Sequence, residues 1–220
     1  MEYTRTEENY LKAIYSLFSE ENKEVSTNTI AERLETKASS VTDMVKKLAN
    51  KKLVKYEKYK GVTLTKKGNN IAVTIIRNHR IWEVFLVEKL GYKWDEVHEI
   101  AEQLEHIKSD ELIDRMDEFL DHPKFDPHGD PIPDKKGKFA ERKKALMLSE
   151  LALEEKGIIV GVKNTSNDFL QYLEEKSLVL GKEIKVLKEF DFDKSRNLAI
   201  GKKEVTVSKE VCNNLIIEIL

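Results

Sequence analysis

One cysteine in 220 residues, Cys212, excludes an internal disulfide and fits a reducing compartment. Proline is nearly as scarce. Its four copies all fall within residues 122–133, HPKFDPHGDPIP, a stretch that cannot be helical through its middle, and the rest of the chain is free to form uninterrupted helices and strands. Long apolar runs are missing too: nothing approaches the ~20 residues of a membrane span. The opening MEYTRTEENY has neither an apolar run nor a basic start, which argues against a secretory signal and for a cytoplasmic protein with no membrane partner. Net charge is also small, −2 although 35% of residues are charged, so the total points neither to nucleic acid nor to an acidic substrate. The sequence shows no nucleotide-binding loop, no nucleophile motif and no internal repeat.

What is present is unevenly distributed. Between Lys37 and Lys67 stand ten lysines against Asp43 and Glu57, whereas residues 74–122 carry thirteen acidic against six basic residues. The first segment suits a polyanion and the second suits cations. All five histidines fall between His79 and His128.

The first part reads as a nucleic-acid module. Thr4-x-x-Glu7 offers a capping box for a helix over 4–18, with Tyr10, Leu11, Ile14, Tyr15 and Phe18 at helical spacing. Ser26 can cap a second helix burying Ile30, Ala31 and Leu34. After a break near 36–38 a third begins, with Val41, Met44, Val45 and Leu48 inward. Such a pair is a helix-turn-helix or, less specifically, a hairpin of a generic bundle. The outward residues of the third helix favour DNA: Ser39, Ser40, Thr42 and Asp43 are short hydrogen-bonding groups near its start, and Lys46 and Lys47 follow. Residues 53–57 and 62–64 alternate as strands around a basic turn holding Lys58 and Lys60, which completes a winged helix.

A long helix is predicted from Thr65 to Leu90, stopped by Gly91, followed by helices over 94–107 and 109–120. In VHEIAEQLEH, His98, Glu102, Glu105 and His106 stand at i, i+4, i+7 and i+8, one stripe of a continuous helix, and upstream His79 and Glu83 stand one turn apart. Such stripes are metal ligands or a solvated helix face. Asp126 and His128 lie in the proline-rich stretch, where they complete a metal site or decorate a surface loop. Three helices of this size make a thin core, so a homodimer is expected. Beyond a charged linker, residues 158–164, 183–190, 198–208 and 215–220 read as strands, with a helix over 167–175, which suits a small SH3-like β-barrel.

Taken together, TEENYLKAIY, IAERL, SSVTDMVKKL, YEKYKGVTLTKKG, NHRIWEVFL, EVHEIAEQLEHIKSDEL and DPHGDPIP resemble the metal-dependent repressors of the diphtheria-toxin-repressor type, including the manganese-transport regulators. The resemblance covers the whole chain. It implies a mainly α protein with some β: a winged helix-turn-helix over 1–73, a helical metal-binding and dimerisation domain over 74–143, and an SH3-like domain over 144–220. It implies dimers that repress metal-uptake genes on binding divalent manganese or iron and then an inverted-repeat DNA operator. Glu102, Glu105 and His106 match ligands of the principal site. Asn9 stands where iron-type members have Met and manganese-type members have Asp, so either Asn9 or Glu8 supplies the fourth ligand. His79, Glu83 and His98 match a second site, with His128, and Asp126 in place of a relative's Cys. Ser39 and Asp43 match base-reading positions. Glu102 replaces the Cys of iron-type members, a harder ligand that makes Mn²⁺ the first choice and leaves Fe²⁺ open. Two other classes compete: a metalloenzyme, which would need an open coordination position and a placed base, and a DNA-binding protein whose acidic middle is a purely structural dimer.

Overall fold

The computed structural model describes residues 3–21, 23–57, 60–142 and 144–220. The chain divides into two compact units, one comprising the chain up to His79 with Glu102–Ile113 and Pro133–Lys138, the other Arg80–Ala101, Asp114–Ile132 and Phe139–Leu220. The expected middle segment 74–143 is thus shared between the two.

The first unit begins with α1 (Arg5–Glu21), longer at its end than the apolar pattern indicates. The capping box forms: the Thr4 N–H donates to Glu7 Oε2 at 3.1 Å and the Glu7 N–H to Thr4 Oγ1 at 3.3 Å. Ser26 caps α2 (Thr27–Arg33) by accepting from the Thr29 N–H at 3.0 Å. Glu35, in the left-handed region, turns the chain into α3 (Ala38–Asn50). Strands β1 (Val54–Glu57) and β2 (Gly61–Leu64) pair antiparallel from Val54 opposite Leu64 to Glu57 opposite Gly61, and Val25 adds a bridge to Val62. Leu11, Ile14, Ile30, Val41, Val45, Leu48, Leu53 and Val62 form the core, whereas Phe18, expected on the same face of α1, is exposed. Thr65 starts α4 (Lys66–Leu90), its hydroxyl accepting from the Gly68 N–H at 3.1 Å. A Cβ on Gly68 would stand 2.0 Å from the Leu53 carbonyl oxygen, so only glycine fits this close approach.

The boundary between the units falls within α4. In the second unit Gly91 ends that helix with a φ of +74°. The expected helix over 94–107 is cut to α5 (His98–Leu104), residues 94–97 forming a turn, and α6 (Asp110–Phe119) follows. The C-terminal part carries β3 (Ala145–Met147), β4 (Lys156–Val162), α7 (Asn167–Glu175), β5 (Glu183–Glu189), β6 (Arg196–Ile200), β7 (Lys203–Val207), α8 (Lys209–Cys212) and β8 (Leu215–Ile219). All pairs are antiparallel in the order β3-β8-β4-β5-β6-β7. This corrects the expected barrel: among the described residues β3 and β7 each pair on one side only, so the sheet stays open. Leu148, Leu151, Ile159, Leu170, Leu173, Val186, Leu198 and Ile217 fill its core. No helix of the described residues is long and apolar enough to cross a membrane.

Candidate metal centres and nucleic-acid face

After Leu104 the backbone leaves the helix: the Ile107 N–H bonds the Leu104 carbonyl at 3.0 Å, and the Ser109 N–H bonds the Ile107 carbonyl at 3.1 Å. The stripe expected to join His98 to Glu102, Glu105 and His106 is therefore broken, because Glu105 and His106 sit in this turn rather than on α5. Glu102, Glu105 and His106 belong to the first unit with α1, whereas His98 belongs to the second.

In the first unit, α1 supplies Glu8, and His106 Nδ1 lies 2.7 Å from Glu8 Oε2, both side chains nearly buried. His79 Nδ1 lies 2.6 Å from Glu105 Oε2. His79, Glu102 and Glu105 each offer a ligand atom within 4.8 Å of the others. Lys12, one turn beyond Glu8, reaches into the cluster with its ammonium 2.5 Å from Glu102 Oε1 and 2.6 Å from Glu105 Oε2. Asn78 Nδ2 donates to the Glu105 carbonyl at 3.2 Å and fixes the turn. Two buried acceptors, Asn9 Oδ1 and Glu105 Oε1, accept no hydrogen bond among the described residues. Buried acceptors without donors are costly, and a divalent cation satisfies them. The carboxylates of Glu8, Glu102 and Glu105 and the imidazoles of His79 and His106 thus fit such an ion, and Asn9 stands beside Glu8 on α1.

Glu7, beside Glu8, plays another part. Burial opposes its charge, but hydrogen bonds from Lys51, the Thr4 N–H and Lys47 hold its carboxyl down at about 2. Lys51 and Lys47 approach Glu7 Oε1 at 2.6 and 3.1 Å, tying α3 to α1.

The second unit contains the other cluster. Glu83 on α4 meets Asp126 and His128 of the proline-rich loop, their ligand atoms within 4.8 Å of one another and all three residues buried. His98 Nδ1 stands 3.4 Å from Glu83 Oε1 on the exposed side. The loop is not a surface loop. His128 Nε2–H donates to the Trp94 carbonyl at 2.7 Å, the indole stacks on the imidazole, and Nδ1 is left 3.6 Å from Glu83 Oε1. Burial opposes a proton on His128, but the hydrogen bond and charge of Glu83 hold its imidazole up at about 9. Burial, then the charges of Glu83 and Asp130, pushes the Asp126 carboxyl up to about 7 against the pull of Arg80. Asp126 Oδ1 accepts the N–H groups of His128 and Asp130, both at 2.9 Å, so this carboxylate also shapes the loop.

β4 anchors that loop. The Val162 N–H donates to the His128 carbonyl at 2.9 Å, and the Arg142 guanidinium donates to the carbonyls of Gly129 and Val160. Gly129 has a φ of +92°, and a Cβ there would stand 2.2 Å from the Val160 carbonyl oxygen. Lys12, Arg80 and Arg142 are the residues that reading the sequence missed. Only Lys12 left a signal, its one-turn spacing from Glu8. His122 joins neither cluster and lies exposed 3.1 Å from Asp117.

On α3, Ser39, Ser40, Asp43, Lys46 and Lys47 are exposed, as expected of a reading helix. Thr42 is half-buried and donates its hydroxyl to the Ala38 carbonyl at 2.9 Å, which removes it from the free donors. Lys47 is held by Glu7, and Lys60 pairs with Glu57 at 2.6 Å. Lys58 lies outside the described residues.

A winged helix with acid-and-imidazole clusters defines a metal-responsive DNA-binding protein. Comparison with known proteins specifies the family. Residues 2–62 match the iron dependent repressor N-terminal DNA binding domain, 65–134 the iron dependent repressor metal binding and dimerisation domain, and 146–219 the FeoA domain. The chain is 41% identical over 114 residues to an uncharacterized HTH-type transcriptional regulator of Methanocaldococcus jannaschii, covering 52% of this chain and 91% of that protein. It is 35% identical over 132 residues to the iron-dependent repressor IdeR of Mycobacterium tuberculosis, covering 60% of this chain but only 57% of that one. A solved manganese-dependent transcriptional repressor in complex with manganese superposes with a TM-score of 0.84 at 33% identity, over 97% of this chain and 100% of that one. The chain belongs to the iron-dependent, diphtheria-toxin-repressor family, whose members are metal-dependent DNA-binding repressors and not enzymes.

Proposed function

We propose that the chain is a homodimeric repressor of manganese-uptake genes with Mn²⁺ as corepressor, acting in the cytoplasm on an inverted-repeat operator. The observation that carries this is the cluster of Glu8, Glu102, Glu105 and His106, with Asn9 next to Glu8 in the chain, which joins helix α1 of the reading module to the end of α5 and the turn after it. A divalent cation bound there supplies positive charge to buried carboxylates and a partner for the lone pairs of Asn9 Oδ1 and Glu105 Oε1, which accept no hydrogen bond among the described residues. The chain's own residues do the rest: α1, which carries Glu8, is tied through Glu7 to Lys47 on α3 and to Lys51 just past it. Coupling of this kind is worth ~1–3 kcal/mol, and operator DNA tightens metal binding by the same factor.

Manganese is preferred because neither cluster contains a thiolate. The sole cysteine, Cys212, is buried in the C-terminal core. Carboxylate and imidazole donors suit harder ions. Glu83, His98, Asp126 and His128 form the second site, and His79, expected there, also meets Glu102 and Glu105 of the first. A second reading, Fe²⁺ as corepressor, is supported by the likeness to an iron-dependent repressor. Phe119, 65% exposed beside Phe85 and Lys89, and Leu90, 56% exposed, supply apolar surface for the dimer. In the reader, Ser39 and Asp43 read bases, while Lys46, Lys58 and Lys60 meet phosphates, with Lys47 partly committed to Glu7.

Operator affinity titrated anaerobically against Mn²⁺ and Fe²⁺ tests this. Half-saturation at lower free Mn²⁺ supports the first reading and the reverse order supports the second. Affinity independent of both metals overturns the proposal.

A further inference from the structure

The principal cluster already contains a cation. Lys12 on α1 places its ammonium 2.5 Å from Glu102 Oε1, 2.6 Å from Glu105 Oε2 and 3.3 Å from His79 Nδ1, with only 18% of its side chain exposed. An ammonium has three donors and no acceptor, and here three ligand-type groups from two other parts of the chain converge on it. Glu105 is fully buried, where a carboxylate needs a partner, and Lys12 supplies one at 2.6 Å. We propose that Lys12 is an internal competitor for metal at this site: its ammonium holds the carboxylates together in the metal-free protein and has to withdraw for an ion to take Glu102 and Glu105.

This rests on the reading of the cluster as a metal site, and it changes how that site works. The carboxylates do not repel one another freely without metal, because Lys12 neutralises them. An ion bound to Glu102 Oε1 or Glu105 Oε2 would meet the ammonium that Lys12 holds at 2.5 and 2.6 Å, so on these two oxygens metal binding is an exchange of one cation for another, while Glu105 Oε1 lies outside that exchange. Exchange lowers the apparent affinity for every ion and thereby raises the free-metal level at which the repressor responds. Lys12 is thus a threshold-setting residue, reached from α1, the same helix that carries Glu8 and Asn9.

The test uses the full-length chain without DNA. Free Mn²⁺ is followed by its electron paramagnetic resonance signal during titration of wild type, Lys12→Gln, Glu105→Gln and His106→Ala. Lys12→Gln should bind Mn²⁺ at least tenfold more tightly, while the other two lose binding at this site. If those two lose it and Lys12→Gln binds no more tightly than wild type, the competitor role is wrong and the metal site stands. If Glu105→Gln and His106→Ala bind as wild type does, the site reading itself fails and takes the Lys12 role with it. A second measurement needs no substitution: acylation of Lys12 by a brief pulse of acetic anhydride, quantified by mass spectrometry, should rise several-fold when Mn²⁺ is added to wild type. Unchanged or reduced labelling overturns the exchange.

Discussion

Glu8 and His106, ninety-eight positions apart in sequence, face each other across 2.7 Å with both side chains nearly out of solvent. One stands on the first helix of the reading module and the other in the turn that ends α5, so a local change at this contact is felt at both ends. Through Glu7, with Lys47 and Lys51 on and just past the reading helix, α1 connects the contact to the DNA-facing surface.

The first prediction concerns that surface. Lys60→Ala should weaken binding to all DNA sequences and reduce the slope of log affinity against log salt by about one unit. Ser39→Ala and Asp43→Ala should instead change sequence preference with the slope preserved. Salt titrations on matched and mismatched operators distinguish the two; a change of sequence preference in Lys60→Ala with an unaltered slope contradicts the assignment.

Quaternary structure gives the second. The protein should sediment as a dimer with or without Mn²⁺, and footprinting should protect an inverted repeat, since a two-fold dimer presents two reading helices. Phe119→Asp, at an apolar position 65% exposed, should shift it towards monomer. A dimer unaffected by this change would place the interface elsewhere.

A third prediction rests on the proline-rich loop. Gly129→Ala forces a Cβ to 2.2 Å from the Val160 carbonyl oxygen at a φ of +92°, so it should cost about 2–4 kcal/mol in urea unfolding. Because Asp126 and His128 flank that glycine, the variant should also lose one bound Mn²⁺ per chain, as should Glu83→Gln. Full metal stoichiometry in both would remove the second site from the account.

The fourth concerns Cys212, 1% exposed, whose thiol is pushed up to about 11 by burial, with Arg196 opposing. Its thiolate fraction at pH 8 is about 10²-fold below that of an exposed cysteine, so a maleimide should label the native chain at least that much more slowly than the urea-unfolded chain. Rapid labelling of native protein would show that the C-terminal core opens readily.

What was legible in the sequence was local. Thr4-x-x-Glu7, Ser26, the spacing of Val41, Val45 and Leu48, and the strands flanking residues 58–61 each announce structure within a few residues, and each forms. Helical periodicity failed past Leu104, because residue spacing alone does not reveal where backbone hydrogen bonds change from helix to turn. Closure of the sheet was misread for a similar reason: strand content is written in alternation, but whether β3 and β7 meet depends on long-range pairing. Among candidate ligands, Glu102, Glu105 and His106 stood out by chemistry. Lys12 showed only its one-turn spacing from Glu8, because its role exists only once positions about ninety residues away fold onto α1.

The central claim is that an ion at Glu8, Asn9, Glu102, Glu105 and His106 controls operator binding. It is tested most directly by operator affinity measured across a Mn²⁺ titration for wild type and His106→Ala, with sedimentation confirming that both are dimers. Wild type should gain at least about tenfold in affinity as Mn²⁺ rises, corresponding to ~1–3 kcal/mol of coupling, while His106→Ala stays at the weak, salt-sensitive level throughout. Equal and metal-independent affinities in the two proteins would contradict the account.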